Sequence, residues 1–274
     1  MRPASTEFLL VHDDATPSDI GLPAKAFDPI TRHFLVEAGI EPGMRVLEFG
    51  SGSGDLTFIV ADLVGPDGHV VGIEESEQAV LLAQGIAEER RLDHVEFVNV
   101  GPSDEIPDDE AFDAVVGRLV LMYQADPATT LARLADHLTP GGLVAFQEID
   151  LTAGKTVPVV PVVDEALGWL RETFKRAGVN IDLGPNLHMV FQNAGLPPPE
   201  MRLGAEIGGY QSPGPGLLTN ALRLMLPVAE KLGVVSADEA GIDTLEQRIR
   251  EALKAAQASM SSPELIGAWT RTVD

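Results

Sequence analysis

The sequence contains no cysteine among its 274 residues. Without a thiol, the chain can form no disulfide, no thiolate nucleophile, no cysteine zinc site and no cysteine-held iron–sulfur cluster. The His and carboxylate residues also show no spacing typical of metal ligands, so we predict no metal. The chemistry available to the chain therefore depends on carboxylates, hydroxyls, imidazoles and backbone groups.

Basic residues are scarce as well. The chain has 19 Lys+Arg against 42 Asp+Glu, which gives a formal net charge of −23. Proteins that bind polyanions gain affinity when Lys and Arg contacts release counterions, and a field this negative repels nucleic acid and anionic lipid. We therefore expect neither nucleic acid nor a membrane as a partner.

Long apolar runs are missing too. No stretch approaches the ~18 apolar residues of a membrane span. The N-terminus has only the short run Phe8–Val11 and does not read as a signal peptide. We expect a cytoplasmic protein, and its length predicts one large domain or one domain with an insert.

Strand and helix patterns alternate between Met44 and Asp150. Short apolar runs predict strands at Met44–Phe49, His69–Ile73, Val95–Val100, Phe112–Gly117 and Leu143–Ile149. Helical spacing predicts helices at Asp55–Gly65, Ser76–Arg91 and Pro127–Leu138. Such alternation with short links predicts an α/β fold with a parallel sheet covered by helices on both faces.

The pattern changes after Asp150. The predicted elements there are a helical stripe at 163–177, a short helix at 184–196, a strand at 201–210, helices at 217–232 and 242–256, and a closing strand. We divide the chain into an N-terminal helical cap (1–40), a core of alternating strands and helices (41–150) and a last part with the remaining sheet (151–274). This last part includes a helical insert at 212–263. Helix 217–232 is apolar nearly all round, so it needs a cover from a pocket, the core or a second subunit, which leaves a homodimer open.

The segment Val46–Thr57 carries the clearest chemical pattern. A strand runs into Gly50-Ser51-Gly52-Ser53-Gly54 and then into a helix. Glycines let the backbone turn tightly and approach a ligand, and the helix start presents free N–H groups. Glu74 ends the second strand, where an open α/β sheet places a carboxylate for a ribose diol.

The loop does not match the dinucleotide pattern G-x-G-x-x-G. Glu48 also lies two residues before the first glycine, where a carboxylate would repel a pyrophosphate but suit a cationic ligand. S-adenosylmethionine carries a sulfonium and an ammonium, so Glu48 favours this cofactor over a nicotinamide dinucleotide.

Together, the segments around Glu48–Gly54, Glu74, Phe112–Tyr123 and His137–Asp150 resemble the class I S-adenosylmethionine-dependent methyltransferases. They are most similar to the group that includes ubiquinone- and menaquinone-biosynthesis enzymes and many small-molecule methyltransferases. The resemblance implies a Rossmann-like sheet of six parallel strands and one antiparallel strand, with helices on both faces and a helical insert before the last strand.

The resemblance also makes residues 41–150 the cofactor-binding core and assigns the acceptor-pocket elements to residues 151–274. It implies roles for residues around the cofactor as well. It places Glu48 near the methionine amino group, Gly50 and Gly52 beneath the cofactor, and Glu74 on the ribose hydroxyls. The remaining cofactor-binding candidates are Ser51, Glu75, Ser103, Asp104, Arg118 and Leu119. The family's Gly-Asp pair after the third strand is Gly101-Pro102 here, which leaves open whether Asp104 or the backbone contacts the adenine.

The sequence gives weaker indications of which residues would bind the methyl acceptor. His188 falls in the segment that forms the acceptor side of similar enzymes, so it is our candidate catalytic and substrate-binding residue, with an ordinary packed or surface histidine as the alternative. Further substrate-binding candidates are Tyr123, Glu148, Asp150 and Tyr210. Methyl transfer depends mainly on alignment and water exclusion, so a dedicated base is not required.

We predict transfer of a methyl group from S-adenosylmethionine to an O, N or C atom of a small molecule by direct in-line displacement. Without cysteine, covalent pyrimidine-C5 methylation is impossible. The alternatives are a fold relative that binds the cofactor without methylating and a nicotinamide dehydrogenase.

Overall fold

The computed structural model describes residues 26–100 and 111–273. Ten strands and nine α-helices lie within this part of the chain. The strands are β1 Arg45–Phe49, β2 His69–Glu74, β3 Val95–Asn99, β4 Phe112–Arg118, β5 Leu138–Asp150, β6 Lys155–Val157, β7 Glu200–Gly204, β8 Ile207–Gly208, β9 Ser259–Ser261 and β10 Glu264–Arg271. The helices are α1 Asp28–Ala38, α2 Asp55–Val64, α3 Glu77–Arg90, α4 Pro127–Ala135, α5 Pro161–Arg176, α6 Leu183–Asn193, α7 Gly214–Lys231, α8 Ala237–Ala240 and α9 Ile242–Ala256.

Seven strands form the main sheet in the order β3-β2-β1-β4-β5-β10-β7. Strands β1 to β5 pair in parallel, whereas β10 runs antiparallel to both of its neighbours, β5 and β7. Six strands thus share one direction, and the fold expected from the sequence is confirmed. The strand order reverses between β1 and β4, and open sheets of this kind bind ligands at the carboxyl edge beside such a reversal.

Apolar cores cover both faces of the sheet. On one face, Phe34 and Leu35 of α1 pack with Val60 of α2 and Trp269 of β10. On the other face, the core continues from the sheet into α5, α6 and the helices α7 and α9. Because both faces are covered, the central strands are apolar over most of their length, as their sequences indicated.

Three helices, α7 to α9, lie between β7 and β10 as the predicted insert. The predicted strand at 201–210 is wrong in part, since Ala205 and Glu206 interrupt it and β8 turns away to another sheet. This small sheet has the order β6-β9-β8, and the sequence did not indicate it. Its strands are two or three residues long, too short for an alternating pattern to show.

Helix α7 finds its cover within the chain. Its buried side chains, Leu218, Leu222, Met225, Val228 and Ala229, belong to the same core as α5 and α9. The apolar character of this helix therefore does not call for a second subunit, and the homodimer stays a prediction without that support.

Two further properties concern the described residues only. No helix among residues 26–100 and 111–273 is long and apolar enough to cross a membrane. Within the same ranges, no three His, Asp or Glu side chains cluster as metal ligands would.

Candidate active site at the carboxyl edge of the sheet

The glycine loop joins β1 to α2 with three residues in the left-handed region. Gly50, Gly52 and Gly54 have φ values of 73°, 51° and 90°. A Cβ on Gly50 would collide with Val120, and one on Gly54 would lie 2.8 Å from Phe58. At Gly52 a Cβ would meet nothing within 4 Å. Gly50 and Gly54 are thus required by packing, whereas Gly52 faces open space in which a ligand fits.

Glu48 lies on β1 just before this loop and is 1% exposed. Its carboxylate accepts a hydrogen bond from the Thr57 hydroxyl at the start of α2. Burial raises the pKa of the Glu48 carboxyl to about 8, although the Thr57 hydrogen bond and the charge of Arg118 oppose the rise. A cation beside Glu48 would favour its ionised form. The group is therefore suited to a positively charged ligand.

Glu74 ends β2 and turns its carboxylate back to the loop. Its Oε2 accepts a hydrogen bond from the Gly52 N–H at 2.9 Å, and its Oε1 accepts one from the Ser76 N–H at 3.0 Å. The side chain is 4% exposed, and each carboxylate oxygen retains a further lone pair. Glu74 thus fixes the loop and can still accept hydrogen bonds from a hydroxyl-bearing ligand.

The other predicted cofactor residues take different positions. The Ser51 hydroxyl is buried and has no hydrogen-bond partner among the described residues, so a polar ligand group could satisfy it. Glu75 is exposed. Ser103 and Asp104 lie outside the described residues, and their roles stay predictions.

Arg118 ends β4 and points to α1, where its Nη1 donates to Asp28 and to Thr31, both at 3.0 Å. The guanidinium is thereby committed to holding the start of α1, and it offsets the charge of Glu48 from that side. Leu119 follows with a positive φ of 57°, and its N–H donates to the Gln147 carbonyl at 2.8 Å. The turn at Leu119 takes the chain from the end of β4 to the wall of a cavity.

A cavity of about 640 Å³ lies next to the turn, and we refer to it as the acceptor cavity. Its floor comes from the ends of β4 and β5, and its roof from β8, α7 and the loop before β10. The described residues that line it are Ala26, Phe27, Leu119, Met122, Tyr123, Ile149, Leu151, Leu167, Leu170, Phe174, Glu206, Ile207, Gly208, Ser212, Pro213, Gly214, Leu217, Leu218, Ala221, Met260, Ser262 and Pro263. Leu119 borders this cavity and the next residue, Val120, contacts Gly50, so the glycine loop and the cavity share one boundary.

Glu148 is not among the described residues that line the cavity, so the structure does not support its predicted contact with substrate. Its buried carboxylate accepts hydrogen bonds from the N–H groups of Val120, Leu121 and Met122 at 3.0, 2.7 and 3.4 Å. Burial raises the pKa of the carboxyl to about 8 against these hydrogen bonds. Glu148 therefore positions the turn that separates the loop from the cavity.

Tyr123 lines the cavity, in agreement with its predicted position. Removal of the phenol from water raises its pKa, and the nearby Glu148 adds to the rise. The phenol thus keeps its proton at neutral pH and can donate a hydrogen bond into the cavity.

Asp150, Tyr210 and His188 are not brought to the cavity wall. Asp150 Oδ1 accepts from the Thr152 N–H and hydroxyl at 2.7 and 2.6 Å, which closes the turn after β5. Tyr210 is exposed beneath Lys254, whose Nζ lies 5.6 Å from the ring centroid. His188 is exposed on α6, because Leu187 and Phe191 turn the other face of that helix to the core. The alternative of a surface histidine fits this position.

The sequence missed most of the cavity wall. Leu167, Leu170 and Phe174 of α5 were recognised as a helical stripe but not as a binding surface. A stripe facing a cavity has the same 3.6-residue period as one facing the core, so periodicity could not separate them. No signal in the sequence pointed to Glu206.

Comparison with known proteins identifies the family. A family profile described as a methyltransferase domain matches residues 40–182, more than half of the chain. The chain belongs to the class I S-adenosylmethionine-dependent methyltransferases. The matched residues include the glycine loop, Glu48, Glu74 and the turn at 119–123, and they end before the roof of the acceptor cavity.

Two curated relatives extend the comparison. The chain is 30% identical over 200 residues to the nocamycin O-methyltransferase of Saccharothrix syringae, an alignment that covers 72% of this chain and 64% of that protein. It is 32% identical over 135 residues to the aklanonic acid methyltransferase DauC of a Streptomyces species, with 49% and 61% covered. The chain thus covers less than two thirds of the length of either relative.

Solved structures include a similar fold in the [4+2]-cyclase SpnF. The TM-score is 0.51 at 21% identity, and the match covers 91% of this chain and 82% of that one. Likeness at this identity concerns the fold alone. For this chain, the assignment to the methyltransferases therefore depends on the family match and the loop residues.

Proposed function

We propose that the protein transfers a methyl group from S-adenosylmethionine to an O, N or C atom of a small molecule held in the acceptor cavity. The observation that carries the proposal is the shared boundary at residues 119–120, where the carboxylate-flanked glycine loop meets an apolar cavity of about 640 Å³. Cavities of ~300–1,000 Å³ bind drug-sized molecules.

The loop residues fit this cofactor. Gly52 leaves space for close approach of the ligand, Glu74 presents acceptors for the ribose diol, and Glu48 presents a buried carboxylate to a cationic amino-acid portion. The unpartnered Ser51 hydroxyl adds one more polar group. When bound, S-adenosylmethionine supplies an electrophilic methyl group attached to a positively charged sulfur.

Bound in this way, S-adenosylmethionine would supply its methyl group to the acceptor atom in exchange for the carbon–sulfur bond, with S-adenosylhomocysteine as the second product and the acceptor's proton released to water. The chain contributes alignment and water exclusion, which together account for much of the rate of such displacements. Tyr123 can orient the acceptor by hydrogen bonding, and Glu148 holds the turn between the two sites.

Calorimetric titration with S-adenosylhomocysteine tests the cofactor assignment. We expect binding by the wild-type protein and at least tenfold weaker binding by Glu74→Gln, which loses a charged acceptor at the loop. Glu89→Gln on the exposed side of α3 is the matched control and should bind as the wild type does. The absence of heat at millimolar ligand would contradict the proposal.

Methyl transfer itself needs a second measurement. Incubation with a metabolite extract and cofactor labelled with tritium in the methyl group should yield a labelled small molecule. A protein that binds S-adenosylhomocysteine but labels no component of the extract would instead match the non-methylating alternative.

We keep two further predictions from the sequence. The net charge of −23 disfavours nucleic acid as the acceptor. A cytoplasmic location stays a prediction from the lack of a long apolar run.

A further inference from the structure

The walls of the acceptor cavity contain one formally charged side chain among the described residues, that of Glu206. Tyr123, Ser212 and Ser262 add hydroxyl groups, and the rest of the lining is aliphatic, aromatic, proline or glycine. No Lys, Arg or His belongs to the described lining. An acceptor bound here therefore meets apolar surface, a few hydroxyls and one negative charge.

Glu206 is held at the opening of the cavity by its backbone. Its carbonyl accepts from the Ser262 N–H at 2.8 Å, and its N–H donates to the Ser262 hydroxyl at 3.0 Å. The residue lines the cavity and is exposed, so it stands where the cavity meets water. These two hydrogen bonds hold the backbone of Glu206, where the cavity roof begins, to Ser262, where the roof ends.

Two arginines come near the cavity but do not present a charge to it. Arg171 donates to the backbone carbonyls of Leu151 and Gly154, both at 2.7 Å. Arg250 donates to the carbonyl of Ser212 at 3.1 Å and pairs with Glu246 at 2.7 Å. Both guanidinium groups therefore support the chain around the cavity and are not aimed at its contents.

We propose that the acceptor is an apolar molecule without negative charge, and that Glu206 selects against anionic analogues at the entrance. The inference rests on the proposed function in taking this cavity as the acceptor site. An anionic group carried into the cavity would lose its hydration without gaining a cationic partner among the described lining residues, which is strongly unfavourable. Glu206 adds repulsion during entry, and a neutral or amine-bearing molecule of the same shape avoids both effects.

Direct binding of matched fluorescent probes tests the proposal. Pyrenemethanol and pyrenecarboxylate share one ring system and differ in charge, and their fluorescence anisotropy reports binding to the full chain. We expect at least a twentyfold preference for the alcohol. In Glu206→Gln the preference should fall about fivefold, the effect of one nearby charge close to water, while the affinity for the alcohol stays unchanged. Salt at ~1 M should weaken the preference in the wild type and leave it unchanged in the variant.

A variant with a filled cavity tests whether the anisotropy signal comes from a probe bound in the cavity. Ala221→Trp on α7 places a large ring in the cavity and should abolish binding of pyrenemethanol, whereas Glu89→Gln on α3 should change nothing. Unchanged S-adenosylhomocysteine binding shows that the blocked protein is folded. If that variant does not fold, the wild-type and Glu206→Gln ratios still decide the question.

Equal binding of the two probes, tighter binding of the carboxylate, or a preference unaffected by Glu206→Gln would each overturn the proposal. Failure of both probes to bind would overturn it too. In that case, calorimetry with S-adenosylhomocysteine would show separately whether the cofactor assignment still holds.

Discussion

Glu48 and Glu74 lie within residues 45–76, the stretch that we propose as the cofactor side of the site, whereas the acceptor cavity takes its lining from segments between Ala26 and Pro263. On the cofactor side, carboxylates bond to Thr57 and to backbone N–H groups. The cavity side has few polar groups and is shaped by packing. A ligand shared by a whole family can be recognised by one continuous segment, whereas a particular acceptor is recognised by residues brought together only by folding.

The largest effect expected on the cofactor side is that of Gly50→Ala. The substitution forces a Cβ into the left-handed region and against Val120, which should lower the free energy of unfolding by about 3 kcal/mol. Urea denaturation measures this value. Gly52→Ala is the matched control, because its Cβ meets only open space. It should lose only about 1–2 kcal/mol but bind S-adenosylhomocysteine at least tenfold more weakly. Equal stability of the two variants would contradict this division between a packed and a ligand-facing glycine.

Cofactor affinity should depend on pH through Glu48. Its pKa is raised to about 8, so below that pH the carboxyl must release a proton before it can pair with a cation. Affinity for S-adenosylmethionine should therefore rise between pH 6 and 8, by at most about tenfold per unit. Calorimetry across this range measures the slope. In Glu48→Gln the slope should disappear, and a slope that persists would assign it to another group.

Glu148→Gln tests the boundary between the two sides. The folded protein holds a proton on Glu148 up to a pH of about 8, above the usual range of a carboxyl, so this group favours folding at low pH and loses that contribution as the pH rises through 8. Relative to the variant, the wild type should therefore lose about 4 kcal/mol of its free energy of unfolding between pH 5 and 8.5. Urea denaturation at both values measures it. In assays of methyl transfer, KM for the acceptor should rise more than the Kd for S-adenosylhomocysteine, because the displaced turn carries Met122 and Tyr123.

The smallest effect is expected for His188→Ala. Its side chain is exposed on α6, so methyl transfer should stay within about twofold of the wild-type rate. Tyr123→Phe is the comparison, because Tyr123, unlike His188, lines the cavity. A large loss of activity in His188→Ala, across the pH range, would restore the catalytic role predicted from the sequence.

The sequence predicted the backbone of the strand, glycine loop and helix at 45–64 better than the cavity wall for a physical reason. The spacing of Glu48, the glycines and Glu74 reports a backbone conformation that is local to one strand–loop–helix unit. The alternation of strands and helices likewise specified the parallel sheet. Glu148, in contrast, was predicted to touch substrate because it ends a strand, and only the path of residues 120–122 shows what its carboxylate binds. The exposure of His188 could not be predicted either, because a single histidine does not show which face of its helix packs against the core.

The pair of hydrogen bonds between Glu206 and Ser262 has a consequence for how such enzymes diversify. They join the two ends of the segment that forms most of the cavity roof, so that α7, α8 and α9 leave and return to the sheet at one point. A replacement segment of another length could be grafted between these two residues without moving β7 or β10. The part of the acceptor preference that the roof determines could then change by exchange of this one segment, while the glycine loop stays the same.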